Sequence, residues 1–324
     1  MRRMFGGRIL SAAILLVALL LLPGLGAWGE EKGGTHLVVL SDLHLPGKNK
    51  AMKQQVIATV NSWEDVKMGV GLGDICSDSG TDGEYDYARK FLSQLKKPFY
   101  PVSGNHDYIY DDSKTAAGRR IKGTPSVRAA KLEKFKEAFF LPQVRYAKKI
   151  APYLLLFLST DDLGSKYLAQ ISEESLAWLE NELGENKGVP TIIFFHAPLR
   201  GTLMSENQSA EREDFVAQPE MKIRKIIKAN PQIFLWVSGH THIAPTNSKY
   251  HHPVNVYERQ VMNIHNCDLN GQSYLLEGDA NTTKHEEAWT NSLFLHEDKV
   301  IVRTYDHRQG GWMEKWKREI FWKK

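Results

Sequence analysis

The stretch His36-Leu37-Val38-Val39-Leu40-Ser41-Asp42-Leu43-His44 reads as two things in succession. Its first five residues form an apolar run of strand length. Its end carries two polar side chains, Asp42 and His44, separated by one residue. In an extended backbone residues i and i+2 project to the same face, so both can reach one centre, or two adjacent ones, while Leu43 points away.

The arrangement recurs along the chain. Met68 to Leu72 is closed by Gly73-Asp74. Phe99 to Val102 runs through Ser103 into Gly104-Asn105-His106-Asp107. Thr191 to Phe195 ends at His196, and Ile233 to Val237 ends in Ser238-Gly239-His240-Thr241-His242. Helical spacing lies between the first of these runs: Ala51 to Trp63 carries Met52, Val56, Ile57 and Val60 on one face, and Glu84 to Leu95 follows. Strand, helix, strand, helix, strand predicts parallel βαβ units and an α/β fold. In open α/β sheets the carboxyl ends of strands face the ligand crevice, so five such ends converge on one site. Gly73, Gly104 and Gly239 permit the tight turns and close backbone approach this needs.

Residues 108–127 read as a polar loop and Arg128 to Phe140 as a helix. Tyr153 to Leu158 is a buried strand. Ser172 to Leu183 is a helix with Ser172 as cap and Glu173 and Glu174 at its positive end. Residues 197–218 read as a second polar loop, followed by a helix over Met221 to Ala229. After His242 the pattern turns β-rich, with strands expected at Val254 to Ile264, Ser273 to Leu276, Ser292 to Leu295 and Lys299 to Tyr305. No repeat or long linker divides the chain. The expectation is one domain over residues 30–324, with a core of about 36–305 and a tail at 306–324.

The strand ends supply Asp42, His44, Asp74, Asn105, His196, His240 and His242: carboxylates, one amide and imidazoles, with no thiolate. This set suits Mn, Fe or Zn, and is compatible with Mg. Seven ligands exceed one tetrahedral ion and fit two ions sharing a bridging carboxylate. His106 and Asp107 are left over. A histidine oriented by an aspartate beside two metals can protonate a leaving oxygen. Singly, each signal is weak, since a lone strand-end histidine is usually structural. The ordered set has no structural need behind it.

Taken in order, Asp-x-His, Gly-Asp, Gly-Asn-His-Asp, His and Gly-His-x-His resemble the calcineurin-like metallophosphoesterase superfamily. The resemblance spans about residues 36–305. It implies a four-layer αββα sandwich with mixed sheets and a dinuclear centre. On that pattern Asp42, His44 and His242 bind the first divalent ion, Asn105, His196 and His240 the second, and Asp74 bridges them. A hydroxide between the ions would attack phosphorus, while His106, held by Asp107, would stabilise or protonate the leaving group. The implied activity is phosphoric ester hydrolysis, on a phosphomonoester or phosphodiester, small molecule or polymer. Two departures narrow the branch. The stretch Gly73-Asp74-Ile75-Cys76-Ser77 lacks the tyrosine ligand of purple acid phosphatases. The chain also stops soon after its β-rich region, without room for the extra C-terminal domain of the 5′-nucleotidase branch. The motifs resemble cyclic-nucleotide phosphodiesterases too, but that pattern is nearly the superfamily's own. A non-catalytic metal-binding scaffold and a nuclease are the competing readings.

Charge weighs against the nuclease. The 324 residues carry 42 basic and 38 acidic side chains, a formal +4. Residues 1–29 hold Arg2, Arg3 and Arg8, an apolar stretch from Ile9 to Leu22 broken only by Ser11, then Ala27-Trp28-Gly29 before Glu30. This is the pattern of a secretory signal peptide. Its removal leaves a balance near +1, whereas polyanion binding usually needs a basic surface. The expected location is exported: extracellular, cell-wall or periplasmic. The alternative is an outward-facing protein anchored in the membrane by an uncleaved run at 9–22, which is short of the ~20 residues of a span.

Export permits a disulfide between Cys76 and Cys267, with two unpaired buried thiols as the alternative. Lys131 to Lys149 reads as a solvated helix face, because Glu133 and Glu137 are interleaved with its cations. Arg119, Arg120, Lys122 and Arg200 lie in the polar loops, and Arg200 is the candidate for binding substrate phosphate. Trp312, Trp316 and Trp322 read as packing a last hairpin on the sheet, and His251-His252 as a surface turn.

Overall fold

The computed structural model describes Met1 and residues 34–202, 212–273 and 283–322. Residues 34–324 form one compact unit. Apart from Met1, the expected signal peptide lies outside the described residues. Among the described residues no helix is long and apolar enough to cross a membrane.

The chain opens with β1 Thr35–Leu40, α1 Lys50–Ser62, β2 Val66–Leu72, α2 Asp82–Leu92 and β3 Phe99–Val102. These match the predicted alternation to within one helical turn. Residues 108–127 are not a bare loop. The one-turn α3 Asn105–Tyr108 leads into a hairpin of β4 Tyr110–Lys114 and β5 Arg120–Lys122. Then α4 Pro125–Phe139 begins at a Thr124 cap that accepts from the Val127 N–H, with proline in its first turn.

The reading of Lys131 to Lys149 as one solvated helix face also fails. The helix stops where Phe140 turns left-handed (φ 54). The following β6 Tyr146–Ile150 is an edge strand paired with β7 Tyr153–Leu158. Lys131 is buried, its Nζ donating to the Ser79 carbonyl at 2.5 Å. The interleaved charges concealed a turn and a strand.

Next come α5 Glu173–Glu185, capped by Ser172, then β8 Thr191–Phe195, α6 Glu220–Ala229 and β9 Ile233–Ser238. Val254 to Ile264 is not one strand. After a 3-10 turn at Pro253–Asn255, β10 Val256–Tyr257 is separated from β11 Val261–His265 by left-handed Glu258 and Arg259. Of the strand expected at Ser273 to Leu276, only Ser273 is described, in β12 Gln272–Ser273, which pairs with β13 Thr283–Lys284. The chain closes with β14 Trp289–Leu295, β15 Lys299–Asp306, β16 Gly311–Trp312 and β17 Arg318–Phe321.

Two mixed sheets result. The first runs β16-β15-β14-β1-β2-β3, with β17 also on β15, and the second β10-β11-β9-β8-β7-β6. The late strands are therefore not a separate β region: β11 lies parallel to β9, and β14 lies antiparallel to β1. Side chains alternate across each strand. Leu37 and Val39 face Leu155, Phe157, Ile192 and Phe194 between the sheets. Val38 and Leu40 pack under Val56, Ile57 and Val60 of α1 and Phe91 of α2. Leu154, Leu156 and Ile193 pack under Leu179 of α5 and Ile226 of α6. Strands apolar on both faces need cover on both sides, so the order is helices, sheet, sheet, helices, the predicted four-layer αββα sandwich.

Cys76 and Cys267 are both buried and unpaired. Trp316 completes a small core with Trp289 and Tyr250, and Trp312 stacks on Trp63 with ring centroids 5.2 Å apart. His251 and His252 are exposed in a turn.

Candidate metal centre

The ligand-bearing loops leave their strands through left-handed backbone. Asp42 (φ 47), His44 (φ 45), Asp74 (φ 48), His240 (φ 65) and His242 (φ 51) all lie in that region. It disfavours non-glycine residues by roughly 1–2 kcal/mol each, and such strain concentrates at functional sites. The extended alternation expected at Asp42–His44 and His240–His242 is thus absent. Each pair is brought together by turning, and Leu43 still points into the core.

Two groups form. In the first, His242 Nε2 lies 3.2 Å from Asp42 Oδ1 and 3.5 Å from His44 Nε2. In the second, His196 Nε2 lies 3.2 Å from Asn105 Oδ1 and 3.4 Å from Asp74 Oδ1, with the His240 ring 4.5 Å from that of His196. Asp74 belongs to both, since its Oδ2 lies 4.0 Å from His44 Nε2. Asp42, His44 and His242, and separately Asp74, His196 and His240, present ligand atoms close enough to hold an ion, as do His44, Asp74 and His106 between them.

The far nitrogen of three imidazoles is anchored on backbone. His196 Nδ1 donates to the Leu72 carbonyl at 2.7 Å, His242 Nδ1 to Gln272 at 2.7 Å, and His240 Nε2 to Asp214 at 2.9 Å. Anchoring of this kind fixes tautomer and ring orientation in metal sites. The carboxylates are held as well. The His240 N–H donates to Asp42 at 3.1 Å, and the His106 N–H to Asp74 Oδ1 at 2.8 Å. Two glycines let the loops close. A Cβ on Gly104 would stand 2.3 Å from Asp74 Oδ1, and one on Gly239 2.0 Å from Ser41 Oγ.

Electrostatics show what the cluster attracts. Burial alone would lower His242, but the Asp42 and Asp268 carboxylates raise it to about 10. Burial likewise opposes Asp74 at His196, and Asp74 prevails, raising it to about 9. Burial, together with the charges of His106 and His196 respectively, lowers His44 and His240 to about 3. The buried carboxylates thus draw positive charge onto two imidazoles and leave two neutral. Neutral imidazole and carboxylate oxygen are a donor set for divalent cations, so the residues fit two such ions.

His106 and Asp107 do not form the pair the sequence suggested. Asp107 Oδ2 accepts from the Gly104 N–H at 2.7 Å and Oδ1 from the Cys76 N–H at 2.8 Å. It staples two ligand loops together. His106 Nδ1 instead donates to the Asp78 carbonyl at 3.1 Å, which leaves Nε2 3.9 Å from Asp74 Oδ2. Arg200 is engaged by Glu220 at 2.8 Å, and no hydrogen bond or ion pair among the described residues joins it to the ligand cluster.

Several supporting residues escaped the sequence reading. Glu84 accepts from the N–H groups of Asp78, Ser79 and Thr81, so it shapes the loop that holds His106. Thr-x-x-Glu at 81–84 is a capping box, legible in sequence. Lys53 is buried, donating to the His44 carbonyl at 3.1 Å and to Asn270 Oδ1 at 3.0 Å. Its place among Val56, Ile57 and Val60 was the available signal. Asp268 accepts from the Gln272 N–H at 2.9 Å and so fixes the carbonyl that anchors His242.

The calcineurin-like phosphoesterase family pattern matches residues 35–244, the interval from β1 through the last histidine pair. The chain belongs to the calcineurin-like phosphoesterase family. The chain is 26% identical over 184 residues to a Bacillus subtilis protein of uncharacterised function, covering 56% of this chain and 13% of that one. It is 24% identical over 176 residues to a probable glycerophosphodiester phosphodiesterase of Arcobacter nitrofigilis, covering 50% and 56%. A 3′,5′-cyclic-nucleotide phosphodiesterase of Nostoc is 25% identical over 224 residues, covering 66% and 73%. The chain therefore spans well under two thirds of the first two relatives. Among solved structures, a dimetal phosphatase from Danio rerio shares the fold, with a TM-score of 0.56 at 14% identity over 90% of this chain and all of that one.

Proposed function

We propose that this phosphoesterase is an exported, metal-dependent phosphoric ester hydrolase, with phosphodiesters as its substrate class. One observation carries the reading. Asp74 stands between two imidazole groups, with Oδ1 at 3.4 Å from His196 and Oδ2 at 4.0 Å from His44. A shared carboxylate between two ligand sets is what a pair of ions in such a site requires. Asp42, His44 and His242 would hold one ion, Asn105, His196 and His240 the other, and Asp74 both.

Bound divalent ions would supply Lewis-acid activation of the phosphoryl group and of water. The chain's own residues do the rest. The backbone-anchored imidazoles keep the ligand geometry fixed. His106, oriented by the Asp78 carbonyl with its Nε2 3.9 Å from Asp74 Oδ2, is the group that would deliver a proton to a departing alkoxide. Names of two relatives, both diesterases, support the substrate class. The basic, apolar residues 1–29 support export.

The test uses protein lacking residues 1–29, loaded in turn with Mn, Fe, Zn and Mg. Bis(4-nitrophenyl) phosphate should be hydrolysed faster than 4-nitrophenyl phosphate. Asp74→Ala and Asn105→Ala should lose metal and nearly all turnover. Wild-type rates in either variant would overturn the assignment, and metal binding without turnover across the panel would favour the scaffold reading. N-terminal sequencing of the protein in its native compartment tests export.

A further inference from the structure

Beside His240 the surface opens into a cleft of about 600 Å³ lined by Lys166, Tyr167, Arg200, Arg212, Glu213 and Asp214. Two contacts tie it to the ligand cluster. The Asp214 carbonyl accepts from His240 Nε2 at 2.9 Å, and the Phe215 ring stacks on His240 with centroids 5.2 Å apart. Its opposite shoulder is the β4–β5 hairpin, from which Lys122 bonds to the Lys166 carbonyl and reaches to 3.9 Å of Asp214.

The charges in the cleft divide unevenly. Lys122 meets Asp214, and Arg200 meets Glu220 at 2.8 Å. Among the described residues, Lys166 and Arg212 form no ion pair, Lys166 lying over the Tyr167 ring with its Nζ 4.9 Å from the centroid, and of the two acids in the lining Asp214 already faces Lys122, which leaves Glu213. An ammonium and a guanidinium lining one hollow are the groups that bind a phosphate, with the guanidinium offering paired donors. The cleft contains none of the seven ligand residues, so it lies beside the ligand cluster and not over it.

We infer that this cleft is a subsite for a second phosphate, and that the preferred substrate is a phosphodiester carrying another phosphate on the part that extends past His240. The inference rests on the diesterase reading of the metal centre and adds the identity of the remote group. It also reassigns Arg200, which becomes a wall of the remote subsite held by Glu220.

The experiment compares two nucleoside diesters with the same leaving group: thymidine 5′-(4-nitrophenyl phosphate) and its 3′-phosphorylated form. The metal-loaded protein should show kcat/KM higher for the 3′-phosphorylated ester by about tenfold or more, the size expected of a charge-assisted contact. The double variant Lys166→Ala/Arg212→Ala should bring that ratio close to one. A control pair of exposed charges elsewhere, Lys187→Ala/Lys225→Ala, should leave the ratio as in wild type. Equal kcat/KM for the two esters, or a ratio unmoved by the double variant, overturns the inference. A binding measurement separates this from failure of the diesterase reading. By calorimetry, thymidine 3′,5′-bisphosphate should bind about tenfold tighter than thymidine 5′-monophosphate, whether or not either ester turns over. Equal affinities overturn the subsite independently of catalysis.

Discussion

His106 and Asp78 are joined through a backbone carbonyl: the imidazole Nδ1 donates to the Asp78 oxygen at 3.1 Å. Asp78 is itself gripped through its carboxylate by Lys114 at 2.6 Å and Arg120 at 2.7 Å, both from the β4–β5 hairpin. The hairpin thus steadies the loop that aims His106 Nε2 at the centre. Replacing His106 with Asn should lower kcat by about a hundredfold to ten-thousandfold, the range for a lost acid catalyst. The loss should be greatest for esters with poor leaving groups, and metal content should stay near wild type. Equal losses for 4-nitrophenyl and simple alkyl esters would remove His106 from proton delivery.

Gly104 bears on the geometry of Asp74. Because an added Cβ would stand 2.3 Å from Asp74 Oδ1 and 2.8 Å from His196 Cε1, Gly104→Ala must displace one of them. A shift of about 1 Å in such a site can reduce the rate on the order of a hundredfold. Elemental analysis beside steady-state rates should show reduced metal and reduced kcat, with far-UV circular dichroism unchanged.

Lys53 links α1 to only one of the two ligand sets. It supports the His44 backbone and Asn270, whose turn leads to the Gln272 carbonyl that anchors His242. Lys53→Met should weaken one of the two ions by about ten- to a hundredfold, the usual effect of losing an outer support. Chelator competition read by calorimetry should resolve one weakened and one unchanged site. Uniform loss of both would contradict a one-sided role.

His307 governs part of the acid stability. Burial lowers its folded pKa to about 3, against an ordinary 6.5. Between those values the unfolded chain binds a proton that the folded chain refuses. The contribution is therefore complete above pH 6.5 and is lost as pH falls towards 3. Its slope is at most about 1.4 kcal/mol per pH unit. Urea unfolding at pH 7 and pH 5 should show the drop, and His307→Gln should reduce it. The buried His265, also lowered to about 3, adds in the same direction.

The strand ends were legible because two periods coincide there. Apolar runs stop where polar side chains begin, and Asp42, Asp74, Asn105, His196 and His240 all stand at such stops. The alternation of apolar strands and helices gave the α/β class, while the four-layer order came from the family resemblance and not from any local pattern. What the sequence hid was set by partners distant in the chain. Asp107 follows His106 directly, yet its carboxylate turns to Cys76, a contact no local pattern announces. Lys131 looked solvated because Glu133 is close in sequence, whereas its Nζ reaches the Ser79 carbonyl. The pairing of β14 with β1 could not be read either, since antiparallel neighbours need no crossover and leave no spacing signal.

That pairing has a consequence for biosynthesis. Thr35 to Val39 are matched with Leu295 to Asn291, so β1 gains its second neighbour only from a strand far downstream in the sequence. The family pattern ends at residue 244 and every ligand is already present by then, yet a nascent chain of that length leaves β1 with a bare, apolar edge. Such edges invite pairing with other molecules. Contacts this distant in sequence also form late. Closing this edge of the first sheet therefore waits for residues 289–295, which are made well after His242, the last of the ligand residues.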